Sequence, residues 1–125
     1  MPAILTKGNT KHLLGKLHDD LKKGKVIKLK NHNKIYNSFI SAKNLIDFIF
    51  FKELNFKKDI INLGIENKYK LFEIVKLIKK KIKSNSKILI DKSKTNHFTI
   101  DISKSTKKFY FKPYSLEKTI KAWLN

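Results

Sequence analysis

Apolar positions along the chain recur with two different periods. Leu13, Leu14, Leu17 and Leu21 fall three and four residues apart, which puts them on one face of a helix. Gly24 follows as the expected C-terminal cap. Leu71, Ile74, Val75, Ile78 and Ile82 give the clearest amphipathic pattern, with lysines on the opposite face and Ser84-Asn85-Ser86 as the stop. Val26, Ile27 and Leu29 among lysines predict a strand over 25–29. A short apolar run over 2–5 reads as a strand turning at Gly8, and 35–40, with Tyr36 and Phe39, is β-like after the polar turn Asn31-His32-Asn33-Lys34. Ser41 is a candidate N-cap for a helix over 43–53. Leu45, Ile46, Phe48, Ile49, Phe50 and Phe51 occupy most of that helix's circumference, which predicts burial on more than one side. Further strands are expected over 59–63, closed by Gly64, and over 88–90 and 98–102. Ser103 is the expected cap of a short helix through Phe109, and Ser115, after Pro113, that of a last helix over 116–124.

Strands and helices alternate through the first half, without repeats or low-complexity linkers. That pattern predicts a mixed α and β fold in one unit spanning 1–125. At 125 residues and 41% hydrophobic, the chain can bury a substantial core. It contains no cysteine, which excludes disulfides and thiolate metal sites. The longest apolar stretch, 45–51, is interrupted by Asp47 and is far below the ~20 residues of a membrane span. The first residues are too short and too weakly apolar for a signal peptide, so a cytoplasmic location without a membrane partner is expected.

The formal net charge is +19, from 29 basic and 10 acidic residues. Such a balance suggests an anionic partner, and a small lysine-rich nucleic-acid-binding protein is one reading. All 29 basic residues are lysine, however, so the bidentate arginine fork that reads guanine edges is absent. Lysine, isoleucine and asparagine share AT-rich codons, and biased base composition accounts for the charge without selection for DNA contact. Nucleic-acid binding is then expected to be non-specific. The basic cluster Lys79-Lys80-Lys81 and Lys83 reads as the solvated face of its helix, because no aromatic residue is interleaved there to stack bases. His12, His18, His32 and His97 have no metal-ligand spacing, and the aspartates form no acid/base pair, so neither a metal site nor hydrolysis is expected.

Four segments in order carry a resemblance. Met1-Pro2-Ala3-Ile4 through Gly8 is similar to a last Rossmann strand and the glycine loop after it. Asn37-Ser38-Phe39-Ile40-Ser41-Ala42-Lys43-Asn44-Leu45 is similar to a stretch written R-x-F/Y-I-x-V-x-D-L that precedes an apolar helix. Ile61-Asn62-Leu63-Gly64 resembles an N-x-G strand followed by a helix of the pattern Leu71-Phe72-Glu73-Ile74-Val75. Residues 98–104 and then Phe109 to Glu117, with Pro113, Leu116 and Glu117, resemble a closing D-x-S-K…P-x-x-S-L-E pattern. Together they resemble the C-terminal, substrate-side portion of an extended short-chain dehydrogenase/reductase of the NAD-dependent nucleotide-sugar epimerase/dehydratase family.

The resemblance implies an α/β fold without the N-terminal Rossmann half, and a chain inactive alone. No G-x-x-G-x-x-G loop is present, so no residue here is expected to bind NAD(P). No residue is expected to be catalytic either. Tyr114-Ser115-Leu116-Glu117-Lys118 repeats the family's Tyr-x-x-x-Lys string in a segment where the family has no catalytic residue. The implied substrate contacts, to a nucleotide-sugar, are Thr6 and Asn9 in the glycine loop, Asn37 at the usual phosphate arginine, and Lys94. Asn44 at the usual aspartate keeps a local structural role, and His97 precedes a segment near the substrate pocket in relatives. The implied partner is a polypeptide carrying the Rossmann half, or a second copy. Without such a cover, large apolar side chains of the 43–53 helix and of the first strand would lie in water.

Overall fold

A computed structural model of the chain describes residues 3–51, 61–93, 95, 97 and 99–124. The elements in chain order are β1 (Ala3–Leu5), α1 (Leu13–Lys22), β2 (Ile27–Leu29), β3 (Phe39–Ser41), α2 (Ala42–Phe51), α3 (Leu71–Lys81), β4 (Ile88–Ile90), α4 (Ser103–Lys108) and α5 (Leu116–Leu124). The mixed α/β class is as expected. The strands form two parallel pairs, β1 with β3 and β2 with β4, each held in register over three residues.

The helical periods place the core. Leu14, Leu17 and Leu21 of α1 meet Leu71, Ile74, Val75 and Ile78 of α3, with Ile27 and Leu29 of β2 and Leu5 of β1 beneath them. Leu116, Ile120 and Trp123 of α5 close this core, and the Trp123 indole N–H donates to the Thr6 carbonyl at 3.3 Å. A second cluster joins Ile40 of β3, Phe48 of α2 and Phe111, with the Phe48 and Phe111 rings edge to face at 5.0 Å. Burial of side chains of this size stabilises the fold by about 1.5–3 kcal/mol each.

Caps decide where the helices begin. Ser41 Oγ accepts from the Asn44 backbone N–H at 3.1 Å, as expected of an N-cap. Ser115 does the same for the Lys118 N–H at 3.3 Å. Gly24 stands one residue beyond the α1 cap, with φ +70° and its N–H on the Leu21 carbonyl at 3.2 Å, a conformation that favours glycine. Ser103 is the first residue of α4 rather than its cap. Its N–H donates to Asp101 Oδ1 at 2.9 Å, so the aspartate side chain takes the capping part.

Three expected strands come out differently. Within 35–40 only Phe39 and Ile40 lie in a strand, because β3 begins where the ladder with β1 begins. Ile35 makes an isolated antiparallel bridge with Lys70. Of 98–102, Phe98 lies outside the described residues and 99–102 enter no ladder, since the Asn37 side chain takes both backbone groups of Ile100. Asp59 and Ile60 also lie outside the described residues, and 61–63 are irregular. The helix expected over 43–53 begins at Ala42, while Lys52 and Glu53 lie outside the described residues. Its burial on several sides is corrected. Asn44 and Phe48 face inward, whereas Ile46, Ile49 and Phe50 are 51%, 49% and 78% exposed.

Candidate functional site

Parallel strands direct ligands to the loops at their carboxyl ends. Beyond β2 and β4 those loops are the polar turn from Lys30 to Lys34 and the segment from Asp91 to Ile100. Asn31, in the left-handed region at φ +54°, links them, with its Nδ2 donating to Thr95 Oγ1 at 2.8 Å. The Ile35 carbonyl accepts from His97 Nε2 at 2.6 Å. A carbonyl can only accept, so Nε2 is the donor in this bond.

Between these loops lies a slot of about 340 Å³. Leu13, Leu17, Leu29 and Leu71 give it an apolar floor, and Tyr36 and His97 stand within 6.4 Å of each other, ring centre to ring centre, on its wall. Tyr36 is itself stacked on Phe39 at 5.6 Å, and burial pushes its phenol above the usual value. Lys28 and Lys30 line the slot as well. Ser38 completes it. That residue is 9% exposed, and its Oγ is buried with no hydrogen-bond partner among the described residues. A buried hydroxyl without a partner costs roughly 1–3 kcal/mol. The slot adjoins a wider polar bowl of about 630 Å³ that shares Asn31, Thr95 and His97 and adds Lys34 and Lys92. The chemistry on offer is an apolar, aromatic-edged space for a planar group, and cations for an anionic tail.

A second cavity of about 460 Å³ lies between α2 and the 110–118 segment. Its polar groups are paired with one another. Asn44 donates to the Lys112 carbonyl and accepts from the Tyr114 N–H, both at 3.1 Å, and the Tyr114 hydroxyl donates to Asp47 at 2.6 Å. The Tyr114–Lys118 pair lies here, with Lys118 Nζ 4.0 Å from the ring centre. Burial, and then Asp47, push the Tyr114 phenol up to about 12. A tyrosine that must give up its proton needs the opposite shift. Asn44 holds the structural position expected of it.

The residues expected to touch a substrate are not gathered at one place. Thr6 and Asn9 sit in the loop after β1, where Asn9 Oδ1 accepts from the Lys11 N–H at 3.0 Å. Asn37 lies before β3, at the opposite end of the same parallel pair, given the register Ala3–Phe39 and Leu5–Ser41. It is 0% exposed. Its Nδ2 donates to the Ile100 carbonyl and its Oδ1 accepts from the Ile100 N–H, both at 2.8 Å. The Asn37 amide therefore acts as a tie that holds the 99–102 segment. Lys94 lies outside the described residues. None of Thr6, Asn9 and Asn37 lines the slot, whereas Tyr36, Ser38, Asn31 and Thr95 do. Sequence reading missed those four, and the one signal for them was the polar Tyr36-Asn37-Ser38 run entering a strand.

Among the described residues no helix is long and apolar enough to cross a membrane. No protein-family model matches the sequence, and no curated protein matches it. Solved structures do. The UDP-glucuronic acid 4-epimerase of Bacillus cereus, in complex with NAD, superposes with a TM-score of 0.70 at 16% identity, over 96% of this chain and 40% of its own. The UDP-glucose 4-epimerase of Thermotoga maritima, with UDP-glucose, gives 0.68 at 13% identity, over 98% and 42%. The Bacillus cereus enzyme with UDP-glucuronic acid and NAD gives 0.66 at 14% identity, over 97% and 41%. The chain thus spans about 40% of the length of the epimerases it matches, and its mixed α/β fold is like that of the matched part of those structures.

Proposed function

We propose that this chain is the substrate-side portion of an NAD-dependent nucleotide-sugar epimerase or dehydratase, and that the slot beside Ser38 receives the nucleotide. The observation that carries the reading is a slot with leucines, the Tyr36 and His97 rings and the lysines Lys28 and Lys30 in its lining. A nucleobase would lie against Tyr36 and His97 on the leucine floor. The diphosphate would lie toward Lys28 and Lys30, with Lys94 as a further cation. Thr6 and Asn9 are proposed contacts for the sugar end, and Asn37 serves the site by holding the segment that carries Thr95 and His97. The likeness to epimerases solved with UDP-glucose and UDP-glucuronic acid supports a uridine diphosphate sugar as the substrate class.

The chain's own residues do not fit NAD. Its four glycines, Gly8, Gly15, Gly24 and Gly64, are spread along the sequence and build no loop that could seat a pyrophosphate at a helix N-terminus. No chemical step is therefore assigned to this chain. Its role in the proposed reaction is to bind and orient the nucleotide-sugar, while NAD and the groups that move hydride and proton come from elsewhere. Calorimetric titration with UDP and with UDP-glucose tests the reading. Binding should weaken roughly tenfold in Tyr36→Ala, a difference of about 1.4 kcal/mol, and NAD should not bind. Absence of UDP binding at millimolar concentration, or binding indifferent to Tyr36 substitution, would overturn it.

A further inference from the structure

We propose that the groove between α3 and β4 is a binding site for a condensed phosphate chain, separate from the slot beside Ser38. The groove encloses about 460 Å³. Phe72 of α3 and Ile88, the first residue of β4, give it an apolar floor, and Lys76, Lys79, Lys80 and Lys83 edge it. Lysine is 29 of the chain's 125 residues but four of the seven that line this groove, so charge is concentrated here beyond the general bias of the sequence. The helix sets the arrangement. Lys76, Lys79 and Lys80 lie at i, i+3 and i+4, on the side that carries Phe72 one turn earlier. Lys83 follows past the C-cap Ile82, in the left-handed region at φ +55°.

Like charges at this spacing repel one another, and nothing among the described residues relieves them. None of the four ammoniums makes an ion pair there, and no carboxylate lines the groove. Glu73, the one acidic residue of α3, is turned to the Lys70 N–H at 3.0 Å. The C-terminal end of a helix attracts cations through its free carbonyls. Here the carbonyls of Ile78, Lys79 and Lys80 already accept from the N–H groups of Ile82, Ser84 and Lys83. An anion in the groove would remove the repulsion. Charge density selects which anion. The four lysines span about 10 Å along the helix. Successive phosphates of a condensed chain share one oxygen, so several negative charges fall within that span. Carboxylates on one side of an extended peptide stand roughly 6.4–6.8 Å apart, which brings only about two of them over the four cations. Lysine meets a phosphate as a point charge and does not need the arginine fork that this chain lacks. The apolar floor leaves room for an organic group on the chain, so the source is an inorganic oligophosphate or a nucleoside triphosphate.

The test is calorimetric titration of the full chain with tripolyphosphate and, separately, with ATP. The double variant Lys79→Gln/Lys83→Gln should weaken tripolyphosphate binding roughly tenfold, the effect of losing charge-assisted contacts. The double variant Lys16→Gln/Lys43→Gln removes the same charge from exposed positions of α1 and α2, and should change it by no more than about twofold, the size of a screened surface effect. ATP bound more tightly than tripolyphosphate supports the site with a nucleoside on the floor. ATP bound equally or more weakly supports it with the inorganic chain as ligand. Equal losses in the two double variants would reduce the binding to the field of the whole chain and overturn the proposal. So would absence of tripolyphosphate binding at millimolar concentration, or hexaglutamate binding as tightly. Tripolyphosphate binding lost in Tyr36→Ala and kept in the groove variant would put the ligand in the slot, and would also overturn it.

Discussion

The Tyr114 hydroxyl donates to Asp47 Oδ2 at 2.6 Å, and this bond joins the entry to α5 to the inward side of α2 across 67 residues of sequence. A neighbouring pair of bonds, from Asn44 to the Lys112 carbonyl and from the Tyr114 N–H to Asn44, makes the same join. The C-terminal segment is thereby held against α2 by polar contacts as well as by Phe111.

Removing the carboxylate tests that join. Asp47→Ala should destabilise the chain by about 1–3 kcal/mol, the range for a hydrogen bond to a charged partner. It should also lower the Tyr114 phenol from its value of about 12, although burial, the larger cause, will keep it above the ordinary tyrosine range. The folded state holds Tyr114 protonated where an unfolded chain would ionise near pH 10. Stability is therefore fully present below pH 10 and declines as pH rises toward 12. Absorbance titration near 295 nm, with urea midpoints at each pH, measures both. A wild-type chain that gains stability above pH 10 would contradict the assignment.

A second test concerns Asn37 and Gly64. The Asn37 amide pairs with both backbone groups of Ile100, and a Cβ on Gly64 would stand 2.4 Å from the Asn37 carbonyl oxygen. Asn37→Ala should cost about 2–3 kcal/mol through the orphaned Ile100 groups. Gly64→Ala should cost about 1–3 kcal/mol through overpacking. Both substitutions act on the one join, so the double variant should lose less than the sum. Denaturant unfolding of the four proteins closes the cycle, and strict additivity would mean that the two residues act separately.

His12 gives the fold a sensitivity to acid. Its Nδ1 accepts from the Gly15 N–H at 3.0 Å as the N-cap of α1, and its Nε2 is buried with no partner among the described residues. Burial holds the His12 pKa below 6.5. His18, 5.1 Å from the Trp123 ring, is lowered by burial and then by Lys22, against a smaller pull from Asp19. The unfolded chain takes up protons near pH 6.5 and the folded chain resists them. Stability is thus present above pH 6.5 and falls as pH drops below it. His12→Asn keeps a capping acceptor and should flatten part of that dependence. Thermal midpoints between pH 5 and 8 provide the check, and an unchanged slope in His12→Asn would exclude His12 as its source.

Duplex DNA should bind weakly and without sequence preference. All 29 cationic side chains are lysine, so contacts would go to phosphates, and affinity should fall steeply between about 50 and 200 mM salt. Anisotropy titrations with two unrelated duplexes measure this. Tight, sequence-dependent binding at physiological salt would instead favour a dedicated nucleic-acid protein.

The sequence by itself determined which stretches are helical and, for α1 and α3, which faces they bury. The spacing of Leu14, Leu17 and Leu21, and of Leu71, Ile74, Val75 and Ile78, is a local property that the 3.6-residue turn converts directly into a buried stripe. Serine and glycine punctuation located the ends of α2 and α5 and the turn after α1 for the same local reason. Only the tertiary structure decided which strands pair and what the polar residues do. Parallel pairing of β1 with β3 and of β2 with β4 joins segments more than 30 residues apart, and nothing in three-residue strands specifies a partner. Asn37 is in sequence a candidate phosphate contact, yet Ile100, 63 positions away, takes both ends of its amide and makes it a buried tie. Ser38 reads as an ordinary neighbour, and only packing strips its hydroxyl of water while leaving it without a partner among the described residues. Both sides of α2 carry large apolar residues in sequence. Which one stays in water was settled by where Phe111 and Tyr114 could reach.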